Sequence, residues 1–106
     1  MPDQVRHDEW ELALAAFREA QAAVQAVEAA TAGRSAAEEE AWLPRHDAAC
    51  VAMDEALAGT LAAPAPNLPA FAAKLELLFA HAVEPGAVED EYAEAVLADS
   101  RRLLLR

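Results

Sequence analysis

Apolar side chains recur at helical spacing near the start of the chain. Five positions follow one another in steps of four and three, and four of the five are large and apolar. They are Trp10, Leu14, Phe17, Gln21 and Val24. Such steps place side chains on one face of an α-helix. The pattern predicts a first helix over about residues 3–32, with Gly33 placed to end it.

A second helix is predicted over residues 35–62. Ser35 and Glu38 have the spacing of a capping box, in which each side chain binds a backbone amide left free at a helix start. The apolar stripe that follows consists of Trp42, Ala49, Met53, Ala56 and Leu57. Pro44 interrupts this segment, either as a kink or as the start of a fresh helix, and we expect a kink. Since the connection between the first two helices is short, they should form a long antiparallel hairpin.

Two shorter helices are predicted over residues 68–83 and 86–105, separated by Pro85. The apolar stripe of the third helix consists of Leu68, Phe71, Leu75, Leu78, Phe79 and Ala82. That of the fourth consists of Val88, Tyr92, Val96 and Leu103. The predicted fold class is all-α, a single helical domain over residues 1–106 in which a shorter helical hairpin packs on the long one. Because the second hairpin is shorter, part of the first should stay uncovered.

Composition favours helices over strands. Of the 106 residues, 30 are alanine, none is isoleucine and 6% are aromatic, whereas strands favour β-branched and aromatic residues. The net charge of −11 disfavours binding to nucleic acid or to anionic lipid. No apolar run approaches the roughly 18 residues of a membrane span, and no export signal is visible at the start. We therefore expect a soluble cytoplasmic protein that binds neither nucleic acid nor membrane.

Few residues could carry catalytic or metal chemistry. His46 and Cys50 lie four apart on one predicted helical face and could supply half of a zinc site, but the chain has no second cysteine and no matching pair. The residues three before the histidines, where a di-iron bundle requires glutamate, are Gln4, Leu43 and Leu78. Ser35 is used as a cap, Ser100 has no histidine near it in sequence, and acids flank Cys50. We expect no metal, no cofactor and no enzymatic activity, with His46 a packed interface histidine.

Two segments carry a resemblance to a known group of proteins. They are TLAAPAPNLPAFAAKLELL, beginning at Thr60, and WELALAAFREAQAA, beginning at Trp10. With its Pro-Ala-Pro turn, its Asn67 cap and its Lys-Leu-Glu sequence at Lys74, the first segment resembles small helical proteins of alphaproteobacterial genomes that are often found near prophage or integrated elements. That group has no assigned activity. The resemblance implies a helical fold and a mobile-element setting, and no chemistry.

The first functional hypothesis is a protein–protein interaction module of unidentified partner, which forms a homodimer through large apolar residues left uncovered. The candidate interface comprises Trp10, Phe17, Trp42, His46, Met53 and Leu77. Within it, Leu77 should point roughly 160° away from Leu75 and the core face of the third helix. Lys74 and His81 should flank Leu77 on that outer side.

The alternative hypothesis is an acidic decoy that imitates the charge pattern of DNA and blocks a basic groove on another protein. Its candidate acidic patch comprises Glu38, Glu39, Glu40, Glu89, Asp90, Glu91 and Glu94. Acids are also ordinary at helix starts, where the helix dipole stabilises negative charge. The two hypotheses differ in what abolishes binding: a change of apolar residues for the module, and neutralisation of acids for the decoy.

Overall fold

The all-α class predicted from the sequence is confirmed. The structure, a computed structural model, describes residues 2–30, 35–84, 87–88 and 90–105. Its elements are α1 (Pro2–Ala29), α2 (Ala36–Ala62), α3 (Leu68–Leu77), a π-helix (Leu78–Ala82), strands β1 (Val83–Glu84) and β2 (Ala87–Val88), and α4 (Asp90–Leu104). The four α-helices of this described part follow one another in the predicted order.

α1 and α2 form the predicted antiparallel hairpin. The Thr60 hydroxyl, near the end of α2, donates a hydrogen bond to the Ala13 carbonyl oxygen at 2.9 Å. The Trp42 indole Nε1, near the start of α2, donates to the Val27 carbonyl oxygen at 2.7 Å. Early residues of one helix therefore meet late residues of the other, as the antiparallel order requires. Each bond joins a side chain of α2 to the backbone of α1, so the two helices are tied at both ends.

The predicted capping box sets the start of α2. The Glu38 amide donates to Ser35 Oγ at 3.2 Å, and the Ser35 amide donates back to Glu38 Oε1 at 3.5 Å. Pro44 lies inside α2, which is continuous from Ala36 to Ala62. Pro44 therefore does not begin a fresh helix, and the helix lacks only the backbone bond that proline cannot donate.

Two clusters of buried apolar side chains form the core. The first comprises Trp10, Leu14, Ala65, Ala70, Phe71 and Leu103. The second comprises Phe17, Leu57, Leu61 and Leu78. The four apolar members of the predicted α1 stripe are all buried, which confirms that stripe. The buried residues of α2 begin only at Leu57, so α3 and α4 cover the end of the hairpin near Trp10 and leave its far end uncovered.

The uncovered far end makes the molecule elongated. Its principal extents are 59 × 34 × 17 Å, and the radius of gyration of the Cα atoms is 16.7 Å, against about 13 Å for a compact chain of this length. A thickness of 17 Å accommodates two helix layers, since packed helices lie about 8–10 Å apart. The shorter helices thus leave part of the long hairpin bare, as the sequence predicts.

The segment between α3 and α4 differs from the prediction. The sequence predicts helices that end at residue 83 and resume at residue 86, but α3 ends at Leu77 in the π-helix, and α4 begins at Asp90. Between them β1 and β2 pair antiparallel. Proline disfavours the helical conformation of the residue before it, so a helix is expected to end before Pro85. The predicted helix breakers Gly33 and Pro85 themselves lie outside the described residues.

The face that α3 buries also differs from the prediction. The predicted stripe includes Leu68 and Phe79, but these side chains are 52% and 67% exposed, so their assignment to the core is wrong. The buried positions of α3 are Ala70, Phe71 and Lys74. A lysine in the middle of the buried face breaks the apolar pattern and shifts the apparent stripe. The π-helix adds to the error, because its wider turn rotates the residues that follow it.

Candidate interaction surface

Two residues of the predicted interface belong to the core of the single chain. The side chains of Trp10 and Phe17 are only 3% and 2% exposed. Trp10 packs with residues of α3 and α4, and Phe17 packs with residues of α2 and the π-helix. The expectation that a second copy must cover Trp10 and Phe17 is wrong, because the chain covers them itself. Met53 is partly buried and packs against the cluster that contains Phe17.

Leu77, a third residue of the predicted interface, does not point outward. Its side chain is partly buried and packs against both core clusters, so the prediction that it lies opposite the core is wrong. Leu77 follows Lys74 by three positions, which puts it on the same helix face as that residue. Lys74, predicted to lie on the outer side, is fully buried, whereas His81 is exposed.

Trp42 and His46 lie together at the uncovered end of the hairpin. Their rings stack with centroids 4.4 Å apart and 16° between the ring planes. His46 Nε2 lies 3.3 Å from Glu28 Oε1, and the His46 side chain is 24% exposed. Trp42 is held in turn by its bond to the Val27 carbonyl oxygen. His46 is thus packed and hydrogen-bonded between α1 and α2.

Cys50 lies next to His46, but the two do not have the geometry of a metal site. The Cys50 sulfur is 3.7 Å from His46 Nε2 and 3.9 Å from His46 Nδ1. Because the sulfur is nearly equidistant from the two nitrogens, it lies beside the ring rather than outside either nitrogen, where a shared metal ion would bind. Among the described residues, no group of three or more His, Cys, Asp or Glu side chains is arranged to hold a metal ion.

The predicted acidic patch is divided between two helix starts. Glu38 is engaged at the start of α2, where its carboxylate accepts from the Ser35 hydroxyl at 3.0 Å. The described members are all exposed: Glu38, Glu39, Glu40, Asp90, Glu91 and Glu94. Glu89 lies outside the described residues. The first turns of α2 and α4 therefore carry acids where the helix dipole stabilises them.

A buried ion pair, which the sequence analysis does not predict, joins α3 to α4. Lys74 Nζ contacts Asp99 Oδ2, and the two side chains are 0% and 2% exposed. Asp99 Oδ1 accepts from the Ala65 amide at 3.2 Å and from the Arg102 guanidinium at 3.0 Å. Lys74 Nζ donates to the Ala63 carbonyl oxygen at 2.5 Å, and Arg102 donates to the Ala65 carbonyl oxygen. The three charged side chains thus bind the backbone of the Pro-Ala-Pro turn that joins α2 to α3.

The surroundings of Lys74 shift the pKa of its amine. Burial lowers the pKa of Lys74 below its ordinary value, and the hydrogen bond and negative charge of Asp99 oppose that shift only in part. The Trp10 ring centroid lies 5.9 Å from Lys74 Nζ, within the range of a cation–π contact. Because the amine is enclosed by the chain, it offers no open face to a substrate. Its contacts with Asp99 and the Ala63 carbonyl oxygen stabilise the segment that joins α2 to α3.

A shallow groove runs between α1 and α2 on the side away from α3 and α4. We name it the rear groove; it encloses about 520 Å³ and is lined by Ala16, Glu19, Ala20, Ala23, Ala52, Glu55 and Ala56. A separate hollow of about 150 Å³ lies nearer the uncovered end and is lined by Ala26, Val27, Ala30, Trp42 and Arg45. Ala16 and Ala23 each precede a core residue by one position, about 100° around α1. The rear groove therefore has a floor of alanines with Glu19 and Glu55 among them, and Arg45 lines the second hollow.

The fold and these surfaces define an all-α protein built on a long helical hairpin. Comparison of the chain with family models, with curated proteins and with solved structures gives no match in any of the three. Within the described residues, no helix combines the length and the apolar character that crossing a membrane requires. Function is therefore inferred from the geometry of the hairpin and its grooves.

Proposed function

We propose that the protein is a non-enzymatic protein–protein interaction module that self-associates through the uncovered part of the α1–α2 hairpin. The observation that carries the proposal is the shape: the molecule measures 59 × 34 × 17 Å, and among the described residues no third helix buries side chains of α2 before Leu57. Helices of globular proteins ordinarily bury their apolar faces against other elements. A second hairpin of the same kind would complete a four-helix arrangement at that end.

Exposed apolar side chains on the hairpin support this proposal. Leu43 and Val51 of α2 are 49% and 55% exposed, and Trp42 is only partly buried. A single exposed leucine is ordinary in a monomer, so their shared position on the hairpin matters more than any one of them. The acidic decoy has weaker support, because Glu38 is engaged in capping and the exposed acids are split between two helices.

Light scattering over a range of protein concentrations tests the proposal. We expect about twice the chain mass of 11.3 kDa at physiological salt. The variant Glu39→Gln/Glu40→Gln should give the same mass. The decoy hypothesis predicts instead a monomer that binds a basic polypeptide such as protamine at low salt and loses that binding in the same variant. A monomer up to high micromolar concentration contradicts self-association.

A further inference from the structure

We propose that the occupant of the rear groove is a second copy of this chain, lying antiparallel to the first across a two-fold axis near Ala23. This inference rests on the proposed self-association and adds the surface and the charged contacts that carry it. An alanine floor by itself identifies no partner. The charged side chains of the rear groove and of the hollow nearer the uncovered end indicate a partner, because their arrangement complements itself.

Three charged side chains along this side of the hairpin have no ionic partner within the described part of the chain. Glu19 and Glu55 line the rear groove, and Arg45 lines the separate hollow nearer the uncovered end. All three are exposed, and none takes part in the ion pairs formed among the described residues. The rear groove and this hollow together thus offer two unpaired carboxylates and one unpaired guanidinium to a second chain.

Contacts between the helices set the level of Arg45 along the hairpin. Trp42, three residues before it, contacts Val27 of α1. His46, the residue after it, contacts Glu28 of α1. Arg45 therefore stands at the level of those two α1 residues, at the uncovered end of the hairpin.

The two carboxylates stand close to each other in the rear groove, nearer the covered end of the hairpin than Arg45 is. Thr60 contacts Ala13, and Glu55 precedes Thr60 by five positions. Because the helices run antiparallel, Glu55 stands about five residues beyond Ala13 on α1, next to Glu19. About nine residues, or about 13 Å at 1.5 Å per residue, separate this acidic pair from the level of Arg45.

A two-fold axis through the midpoint, near Ala23, brings opposite charges together. It sets Arg45 of each copy against Glu19 and Glu55 of the other, where a guanidinium can bind carboxylates. The contact forms twice because the interface is symmetric. The alanine floor lets the two hairpins approach closely, since the distance between helix axes depends on the side chains at the contact. A parallel copy would set carboxylates against carboxylates, which is unfavourable.

Charge reversal tests this pairing, with sedimentation equilibrium of the wild-type dimer as the reference. Arg45→Glu should raise the dimer dissociation constant by more than about tenfold, because it places like charges together at two sites. Arg18→Glu is the matched control: it changes the net charge equally but lies outside the rear groove, near Glu76, and should stay within about threefold of wild type. The triple variant Arg45→Glu/Glu19→Arg/Glu55→Arg exchanges the signs and should restore the dimer.

A disulfide tests the position of the axis independently. In a Cys50→Ser background, Ala23→Cys places a thiol beside the axis, close enough to its copy to form a bridge. Mild oxidation should then give a covalent dimer on a non-reducing gel. Ala22→Cys in the same background is rotated about 100° around α1 and should remain uncrosslinked.

The outcomes separate this inference from the proposed function. If the wild-type chain dimerises but Arg45→Glu dimerises equally well, or Ala23→Cys cross-links no better than Ala22→Cys, the rear groove is not the interface and self-association stands. A wild-type chain that is monomeric throughout overturns both. Loss of the dimer in Arg45→Glu, its return in the triple variant and selective cross-linking at position 23 are the expected results.

Discussion

Replacement of Lys74 by methionine tests how the turn and α4 are held in place. Lys74 is the only lysine of the chain, and methionine has a similar length without the charge. The change removes the bonds from Nζ to Asp99 and to the Ala63 carbonyl oxygen. Asp99, which is 2% exposed, then keeps only its contacts with the Ala65 amide and Arg102.

The loss of stability can be worked out from these contacts. Removing one member of a buried ion pair costs about 3–5 kcal/mol, because the charge left behind loses its partner without regaining water. The cation–π contact of Lys74 with Trp10 adds about 0.5–2 kcal/mol, and burial of the methionine side chain offsets an amount of the same order. We expect Lys74→Met to lower the free energy of unfolding by about 3–5 kcal/mol, out of about 5–15 kcal/mol for a typical domain.

Urea denaturation followed by circular dichroism measures this loss, and a double-mutant cycle with Asp99→Asn isolates the pair. Lys74→Met/Asp99→Asn should cost at least about 1 kcal/mol less than the two single changes added together, because the second change finds the pair already broken. Glu76→Gln removes an exposed charge from α3 and should change stability by under about 0.5 kcal/mol. Strict additivity, or a loss under about 1 kcal/mol for Lys74→Met, would refute the stabilising role of the pair.

Two further predictions concern residues of α3. Lys74 should resist an amine-reactive reagent in the folded protein and react after unfolding in urea, because its side chain is fully buried; mass spectrometry locates the label, and rapid labelling of native Lys74 would contradict the burial. Leu77→Glu should lower the free energy of unfolding by about 3 kcal/mol or more, because Leu77 packs against both core clusters. An unchanged melting temperature would contradict that packing.

The long hairpin could be predicted because its signals are local. The apolar stripe of α1 repeats over a few turns, and the capping box of α2 involves only Ser35 and Glu38. The predicted bounds of the second helix, residues 35–62, accordingly agree with Ala36–Ala62. The pairing of β1 with β2 could not be predicted, because strands of two residues carry no periodicity.

The buried face of α3 could not be predicted from apolar periodicity, because a charged residue lies at its centre. Lys74 interrupts the buried face of α3, and Asp99 interrupts the stripe of α4 between Val96 and Leu103. Either charge alone suggests an exposed position. Opposite charges at core positions of two neighbouring helices suggest a buried pair, and that coincidence was the available signal. Because the predicted apolar stripe of α3 was displaced in this way, Leu77 was predicted to lie on the surface.

The candidate surface could be predicted only in part. Helix lengths alone show that a shorter hairpin leaves part of a longer one bare. Which residues stay bare depends on where α3 packs, and that contact covers Trp10 and Phe17 rather than the far end. The rear groove carries no large apolar residue in the part lined by Ala16 and Ala23. A prediction based on large uncovered apolar side chains therefore cannot identify it.

The Pro-Ala-Pro turn is held by side chains that the ribosome adds much later than the turn itself. Ala65 precedes Asp99 by 34 residues and Arg102 by 37 residues. The hydrogen bonds that tie α1 to α2 use none of those later residues, so we expect the hairpin to begin forming during translation while the turn is still unanchored. Asp99, the partner of Lys74, is added 25 residues after it. Folding should therefore be vectorial, with the last helix closing over a hairpin that has already formed.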